Sequence, residues 1–212
     1  MGNYTGPKAK VSRAVGIDLD AFSPGRSFST KCKHDRRPGK PLKRNDRSSD
    51  FGKQLEMKKA ISSYYGLRDG QFRRFVAEAE RRAGSTPANL MSLLESRLDN
   101  IIFRMGFAVT RREARQLVVH KKIMLNGKVH KSPSTIVKIN DVVEINQNAQ
   151  NEARIANAIE VAKDRPDNAV NADAWLNVDY SDKKGTVTAV PDLEYVNGIF
   201  KPSLVIEFYS KS

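Results

Sequence analysis

The chain has 212 residues and carries 37 Lys and Arg against 24 Asp and Glu, a formal net charge of +13. This length allows one or two domains with a buried core, and the single cysteine, Cys32, excludes an intramolecular disulfide. No apolar run approaches the ~18 residues that a membrane-spanning helix requires, and the N-terminus lacks the apolar stretch of a secretory signal. A membrane protein, a disulfide scaffold and a secreted precursor are therefore not expected.

The charge is distributed unevenly along the chain. Residues 1–50 hold 12 basic and 5 acidic side chains, whereas residues 147–212 hold 7 basic and 10 acidic ones. Such an asymmetry indicates that the basic segments contact a polyanion and that the acidic segment faces protein or solvent. The alternative is a basic protein without a specific partner, but the basic residues cluster where the local pattern is most specific.

Residues 1–49 show little periodic apolar pattern and contain several Gly, Pro and Ser. This composition predicts an extended basic N-terminal arm that becomes ordered on its partner. The candidate nucleic-acid contacts of this arm are Lys8, Lys10, Arg13, Lys31, Lys33, Arg36, Arg37, Lys43, Arg44 and Arg47.

Apolar residues at helical spacing predict two helices in the first part of a helical domain, residues 50–95. Asp50 is the expected N-cap of the first helix, which would run to about Tyr65 and end at Gly66. Asp69 would begin the second helix. That second helix carries two further candidate contacts, Arg73 and Arg74.

A third helical pattern begins at Thr86-Pro87, an N-cap followed by proline at the first helical position. The pattern continues to Gly106 with a possible break near residues 95–97. Its apolar stripe is interpreted as core. Arg104 near its end is a candidate nucleic-acid contact.

Residues 96–146 are predicted to form a module of two helices followed by a small antiparallel sheet. Thr110-Arg111-Arg112-Glu113 predicts a capping box, in which Thr110 accepts from the N3 amide and Glu113 reaches back. Asn126-Gly127 predicts a type I′ hairpin turn between strands 123–125 and 128–131, and residues 141–145 predict another strand. The candidate contacts of this module are Thr110, Arg111, Arg112, Arg115, His120, Lys121, Lys122, Asn126 and Lys128.

Three of these arginines are expected on the outer side of one helix, because Arg111, Arg112 and Arg115 are three or four residues apart. Arginine can bind a phosphate with two parallel hydrogen bonds, and lysine acts as a point charge. The narrow major groove of A-form RNA favours recognition by shape and backbone. DNA binding is the competing interpretation: zinc-finger and basic-zipper patterns are absent, but a helix-turn-helix stays open.

Residues 147–212 are predicted to contain a helix over 150–164, a linker over 165–174 and two short segments that return to the helical domain, 175–178 and 204–208. The predicted fold class is therefore α+β: a mainly helical domain, a small inserted module and an extended basic arm. The predicted boundaries are 1–49, 50–95, 96–146 and 147–212.

Several motifs resemble the small-subunit ribosomal protein S-four family. The resemblance in the module lies in Leu98-Asp99-Asn100-Ile101, Arg104-Met105-Gly106-Phe107, residues 110–118 and residues 123–129. It extends over essentially the whole chain, through Tyr4-Thr5-Gly6-Pro7-Lys8, Phe51-Gly52-Lys53-Gln54-Leu55, Trp175-Leu176 and residues 205–211.

The resemblance implies a helical domain with the RNA-binding module inserted between its halves. It also implies direct binding to small-subunit rRNA at a multi-helix junction of the 5′ domain, which helps to nucleate assembly of the subunit body. Further implications are a cytoplasmic location in the ribosome and a contact with the fifth small-subunit protein, near the channel through which messenger RNA enters. Changes at that contact affect decoding accuracy in the family, and some members repress their own operon messenger.

The sequence departs from the family pattern in the arm. Some members hold zinc with four cysteines, but here Ala9 and Ser12 occupy the first two positions and the third falls near Ser27. Cys32 and His34 supply at most two of the four ligands that structural zinc requires, so no metal and no cofactor are expected. The family's Gln-His-Gly after Pro-Gly is replaced by residues 40–42, Lys-Pro-Leu.

Two other functions compete with the ribosomal interpretation. Ser96-Arg97-Leu98-Asp99 resembles the stretch around the catalytic aspartate of pseudouridine synthases, but Asp99 lies in a helical pattern without a large catalytic domain. A surface or salt-bridged Asp99 is the expectation, and no P-loop or dinucleotide fingerprint is present. An RNA chaperone with the same module is the second alternative, and it would not need the segments at Trp175 and at residues 205–211.

Overall fold

The computed structural model describes residues 6–19, 33, 36–39, 49–150, 152–163 and 175–210. The helices of these residues are α1 (Lys8–Val15), α2 (Asp50–Tyr64), α3 (Asp69–Arg81), α4 (Thr86–Glu95), α5 (Leu98–Arg104), α6 (Arg111–Val119), α7 (Ala153–Lys163), α8 (Glu194–Ile199) and α9 (Pro202–Ser210). The strands are β1 (Ile123–Leu125), β2 (Lys128–Val129), β3 (Val142–Ile145), β4 (Leu176–Asp179) and β5 (Lys184–Val187). This combination of helices and one small sheet confirms the predicted α+β class.

Local sequence accounts for most helix starts, with small corrections. Ser49, rather than Asp50, caps α2, because its hydroxyl accepts a hydrogen bond from the Gly52 amide at 3.1 Å. Helix α3 begins at Asp69 as predicted. Thr86 is the first residue of α4 and not its cap, and Pro87 lies in the first turn. Within the predicted extended arm, residues 8–15 instead form α1, which packs against α2.

The long apolar pattern is broken between α4 and α5, where a break near residues 95–97 was predicted. Arg97 forms an isolated antiparallel bridge with Ile136. The Leu98 amide donates to the Thr135 carbonyl, and the Val137 amide donates to the Ser96 carbonyl, both at 2.9 Å. The loop before β3 thus satisfies backbone groups that a continuous helix would have bonded internally.

The Thr110 capping box forms with one change. Thr110 Oγ1 accepts from the Glu113 amide at 3.2 Å, as predicted for α6. The Glu113 carboxylate accepts from the Val109 amide at 2.9 Å, so it binds one residue earlier than the pattern predicts. At the hairpin, Asn126 and Gly127 have φ of 50° and 74°, the left-handed values that the predicted turn requires.

The sheet has five antiparallel strands in the order β2-β1-β3-β5-β4. Strand β2 ends at Val129, earlier than the predicted residue 131. Strands β4 and β5, from beyond the predicted module boundary at 146, complete this sheet. Each of these strands has four residues, too short for the sequence pattern to show which sheet it joins.

In β5, Gly185 lies close to the side chain of Met105. A Cβ atom on Gly185 would lie 2.6 Å from the Met105 sulfur, at the end of α5. Gly185 pairs with Val143 of β3, whose side chain is fully buried. The end of α5 therefore rests directly on the β5 backbone.

The buried apolar residues form two clusters. The first, which we call the module core, contains Leu98, Phe103, Leu117 and Val143 and extends to Val187. The second, which we call the helical core, is built from α2, α3 and α4 together with the C-terminal helices. Its members include Tyr64, Phe72, Leu94, Phe200 and Val205. Residues 204–208, predicted as a short returning segment, lie within helix α9.

Candidate nucleic-acid interface

The three arginines predicted to share one face of α6 have different surroundings, so that prediction is wrong. Arg112 is exposed, whereas Arg111 is half-buried between aromatic rings. The Arg111 guanidinium lies 3.8 Å from the Tyr64 ring centroid and 4.3 Å from that of Phe103. Its Nε donates to Asn100 Oδ1 at 2.8 Å. Arg111 therefore belongs to the protein interior more than to the outer face.

Arg115 lies at the edge of a buried ion pair. Arg97 is 1% exposed and donates to both Asp99 carboxylate oxygens, at 3.0 and 2.6 Å. Arg115 Nη1 reaches Asp99 Oδ2 at 3.4 Å, and its side chain keeps 35% of its exposure. This arrangement confirms a salt-bridged Asp99. Arg115 faces solvent only in part.

Arg104, predicted to contact nucleic acid, is buried. Its guanidinium donates to both oxygens of Glu95, at 3.0 and 2.9 Å, and the two side chains are 4% and 1% exposed. The Glu95 carboxylate also accepts from Asn100 Nδ2 at 2.7 Å and from the Tyr65 hydroxyl. A phosphate could reach this guanidinium only by displacing Glu95 from the core.

The surroundings of Glu95 favour the ionised form of its carboxyl group. Burial raises the pKa of Glu95, but attraction and hydrogen bonding from Arg104, then the charge of Arg111, outweigh burial and lower it. Burial lowers the pKa of Arg104, and the charge of Glu95 more than reverses that effect. Burial and the same carboxylate raise the pKa of Tyr65, so its hydroxyl keeps the proton that it donates to Glu95.

Other side chains of the module that were predicted to contact nucleic acid form ion pairs or hydrogen bonds within the protein. Lys122 forms an ion pair with Glu152. Asn126 donates to Asp141 and accepts from the Val142 amide, both at 2.8 Å. Thr110 serves as the α6 cap. These side chains shape the module before any ligand is present.

A set of exposed basic side chains remains on the module, which we call the module cations. They are not in ion pairs with any carboxylate of the described residues, and Lys121 has a left-handed φ of 61°. The predicted members are Arg112, Lys121 and Lys128, and the predicted contact His120 is also exposed. Two further exposed lysines, Lys131 and Lys138, lie in the segment after β2 and were not among the predicted contacts. Their charge is the only sequence signal that could have identified them.

The candidates outside the module are only partly described. Arg73 and Arg74 are exposed on α3. Arg37 binds Glu56 with two hydrogen bonds, at 2.6 and 3.1 Å, and Arg13 donates to the Arg36 carbonyl at 2.8 Å. The exposed candidates of the arm are Lys10, Lys33, Arg36 and Arg37. The candidates outside the described residues are Lys31, Lys43, Arg44, Arg47 and the side chain of Lys8, as are Cys32 and His34 of the zinc argument.

Two absences hold for the described residues alone. No group of three or more His, Cys, Asp or Glu side chains is placed to hold a metal ion there. In the same part of the chain, no helix has both the length and the apolar character to cross a bilayer.

A helix-and-hairpin module with exposed module cations is suited to a polyanion, as is expected of the nucleic-acid-binding class of protein. Comparisons with known families agree with this class. A family model described as the S4 domain matches residues 96–143, and one described as the ribosomal protein S4/S9 N-terminal domain matches residues 3–95.

Full-length relatives give the same result. The small ribosomal subunit protein uS4 of Francisella tularensis subsp. holarctica (strain OSU18) is 44% identical over 211 residues, which cover 100% of both chains. The uS4 protein of Cupriavidus necator is 45% identical over 212 residues, again covering 100% of both chains. The chain therefore belongs to the ribosomal protein S4 family, whose members are RNA-binding ribosomal proteins of translation and form a structural, non-enzymatic class.

Proposed function

We propose that this protein is a structural component of the small ribosomal subunit in the cytoplasm, where it binds rRNA at a multi-helix junction of the 5′ domain. The observation that carries the proposal is the exposure of the module cations beside a folded scaffold. Arg112, Lys121 and Lys128 face solvent, while neighbouring basic side chains are neutralised by protein carboxylates.

The geometry of the module suits recognition by shape. Helix α6 and the β1–β2 hairpin are short, and the Lys122 amide, just before β1, donates to the Leu117 carbonyl of α6 at 3.0 Å. Cations fixed on such a scaffold favour phosphates at one particular spacing. A junction offers phosphates from several helices at once, whereas a uniform duplex does not, so binding to the junction should be tighter.

We also propose that the module is an insertion within the helical domain. The support is the composition of the helical core, which combines α2–α4 with Phe200 and Val205 from beyond the module. An insertion of this kind fixes both ends of the module on one scaffold. It would let the arm, with Arg36, and helix α3, with Arg73 and Arg74, contact the same RNA.

The proposal includes finer roles that the resemblance to the family implies. They are nucleation of the subunit body during assembly, and a contribution to translational accuracy with the fifth small-subunit protein near the channel through which messenger RNA enters. Repression of the protein's own operon messenger is a further expectation. The acidic C-terminal part, with 10 acidic residues in 147–212, is suited to protein neighbours rather than to RNA.

The test is binding to a 5′-domain fragment of small-subunit rRNA and to a duplex RNA of equal length, across a salt series. We expect the junction RNA to bind at least ~10³-fold more tightly, within the usual range of specific over non-specific binding. Arg112→Gln should reduce the slope of log K against log salt by about 0.7–0.9. Arg81→Gln is the matched control, because Arg81 is exposed but paired with Glu78 on α3.

Two results would contradict the proposal. Equal affinity for both RNAs would show a non-specific basic protein. An unchanged slope in Arg112→Gln would remove the module cations as phosphate contacts. Incorporation of the full chain into reconstituted subunits separates the ribosomal role from that of a chaperone, because only a structural component remains in the completed particle.

A further inference from the structure

Arg111 is the basic side chain of α6 that touches both cores. Tyr64, at the end of α2, belongs to the helical core, and Phe103 of α5 belongs to the module core. The Arg111 guanidinium lies within 4.3 Å of both ring centroids and 5.5 Å from that of Tyr65. A cation between aromatic faces is attracted to each of them, most strongly where water is excluded.

A chain of hydrogen bonds extends from Arg111 into the buried cluster. Arg111 Nε donates to Asn100 Oδ1 at 2.8 Å, and Asn100 Nδ2 donates to Glu95 at 2.7 Å. Glu95 in turn accepts from Tyr65. The first residue of α6 is therefore bonded, through α5 and α4, to the residue that follows α2.

The adjacent arginine differs in every one of these respects. Arg112 is exposed, and no described aromatic ring or carboxylate holds its guanidinium. Both residues carry the same charge and lie in the first turn of the same helix. Comparing the two residues therefore distinguishes the effect of charge from the effect of position. A phosphate can reach Arg112 directly, whereas Arg111 would first have to leave its aromatic contacts.

We propose that Arg111 is a positioning residue for RNA binding. Its planar guanidinium fixes the orientation of α6 relative to the helical core, and so sets where the module cations lie relative to the basic side chains of α3. It does not bind phosphate itself. The part of the proposal that concerns affinity depends on the proposed rRNA binding; the part that concerns orientation does not.

Charge and shape are tested separately with four variants. Arg111→Lys keeps the charge and loses the planar group, whereas Arg111→Gln loses both, and Arg112→Lys and Arg112→Gln are the matched controls. We expect both Arg111 variants to bind the junction RNA about tenfold more weakly, with an unchanged salt slope. Neither lysine nor glutamine reproduces the planar group between Tyr64 and Phe103 or its Nε hydrogen bond to Asn100. Arg112→Lys should bind nearly as the natural protein does, and Arg112→Gln should have the lower slope.

Affinity for the duplex RNA distinguishes positioning from loss of the fold. A misplaced but folded module should keep its duplex affinity in Arg111→Lys, so only the preference for the junction falls. Tyr64→Leu removes the facing ring and leaves the arginine charge intact. Its effect on junction affinity should not add to that of Arg111→Lys, because both changes remove the same contact.

Orientation is measured without RNA, from residual dipolar couplings of α3 and of α6 in the full-length protein. The relative orientation of these helices should change or broaden in Arg111→Lys and remain as in the natural protein in Arg112→Lys. An unchanged orientation in Arg111→Lys overturns the proposal. So does a salt slope that falls in Arg111→Gln as it does in Arg112→Gln, since Arg111 would then contact phosphate. If the natural protein shows no preference for the junction RNA, the proposed function fails, and the couplings still decide the role of Arg111.

Discussion

Removal of Arg104 tests the buried cluster that joins α4, α5 and the end of α2. Arg104→Met keeps the approximate volume of the side chain and deletes two charge-assisted hydrogen bonds to Glu95, which is 1% exposed. Each such bond contributes about 1.5–3 kcal/mol, so their loss predicts about 3–6 kcal/mol. Loss of one partner from a buried ion pair typically costs about 3–5 kcal/mol, in agreement with that sum.

The pH dependence of this loss has a defined sign. In the natural protein the pKa of Glu95 is lowered, so this group stabilises the fold above its unfolded pKa, and that stability disappears as the pH falls through the folded value. Without Arg104, burial dominates and raises the pKa of Glu95, so the ionised carboxylate destabilises the fold at neutral pH. The loss in Arg104→Met should therefore be larger at pH 7 than near pH 4.5.

Urea unfolding followed by circular dichroism at both pH values measures this prediction. In Glu95→Gln/Arg104→Met the buried charge is gone and an oxygen still accepts from Tyr65, so at least half of the lost stability should return at pH 7. Arg81→Met, at an exposed ion pair, should unfold as the natural protein does. A loss below about 1 kcal/mol at pH 7 in Arg104→Met, or one equal at both pH values, would refute the electrostatic argument.

Four further outcomes follow from local geometry. Gly185→Ala should lower the unfolding free energy by about 1–3 kcal/mol, because its Cβ would lie 2.6 Å from the sulfur of Met105; unchanged stability would contradict the close packing. Thr110→Ala should lose about 1 kcal/mol and Thr110→Ser much less, in the same urea assay, since only the serine can still cap α6. Lys121→Gly should unfold at higher urea, because glycine adopts the left-handed φ of 61° more readily than lysine, yet it should bind RNA with a salt slope lower by about 0.7–0.9. A lower urea midpoint would contradict the conformational argument, and an unchanged salt slope would contradict the phosphate contact. Tyr64→Phe should leave stability equal or higher, because the buried Tyr64 hydroxyl has no hydrogen-bond partner among the described residues; a loss above about 1 kcal/mol would indicate a partner.

The sequence by itself determined the features that depend on a few neighbouring residues. The start of α3 at Asp69, the Thr110 cap and the left-handed turn at Asn126-Gly127 were all predictable. Their energetics are local, because a cap or turn requires only particular side chains or φ angles at fixed offsets. The surplus of basic residues was equally visible, since it needs no coordinates.

Only the tertiary structure decided which basic residues face solvent. The spacing of Arg111, Arg112 and Arg115 limits them to part of the α6 surface, but it does not show where that surface meets another element. Tyr64 comes from a helix 47 positions earlier in the chain, and it is this ring that makes Arg111 an interior residue. Arg104 is buried for a related reason, because Glu95, at the end of the preceding helix, forms an ion pair with it.

The extent of the sheet was settled in the same way. Strand β5 pairs with β3, and β4 with β5, across more than 30 residues of chain. Their four-residue patterns do not indicate these partners. Pairing over such a distance is selected by the core that it closes, in which Gly185 lies against Met105. Local chemistry therefore defined the elements of this protein, and the packing of distant elements decided which of their charges remain available to RNA.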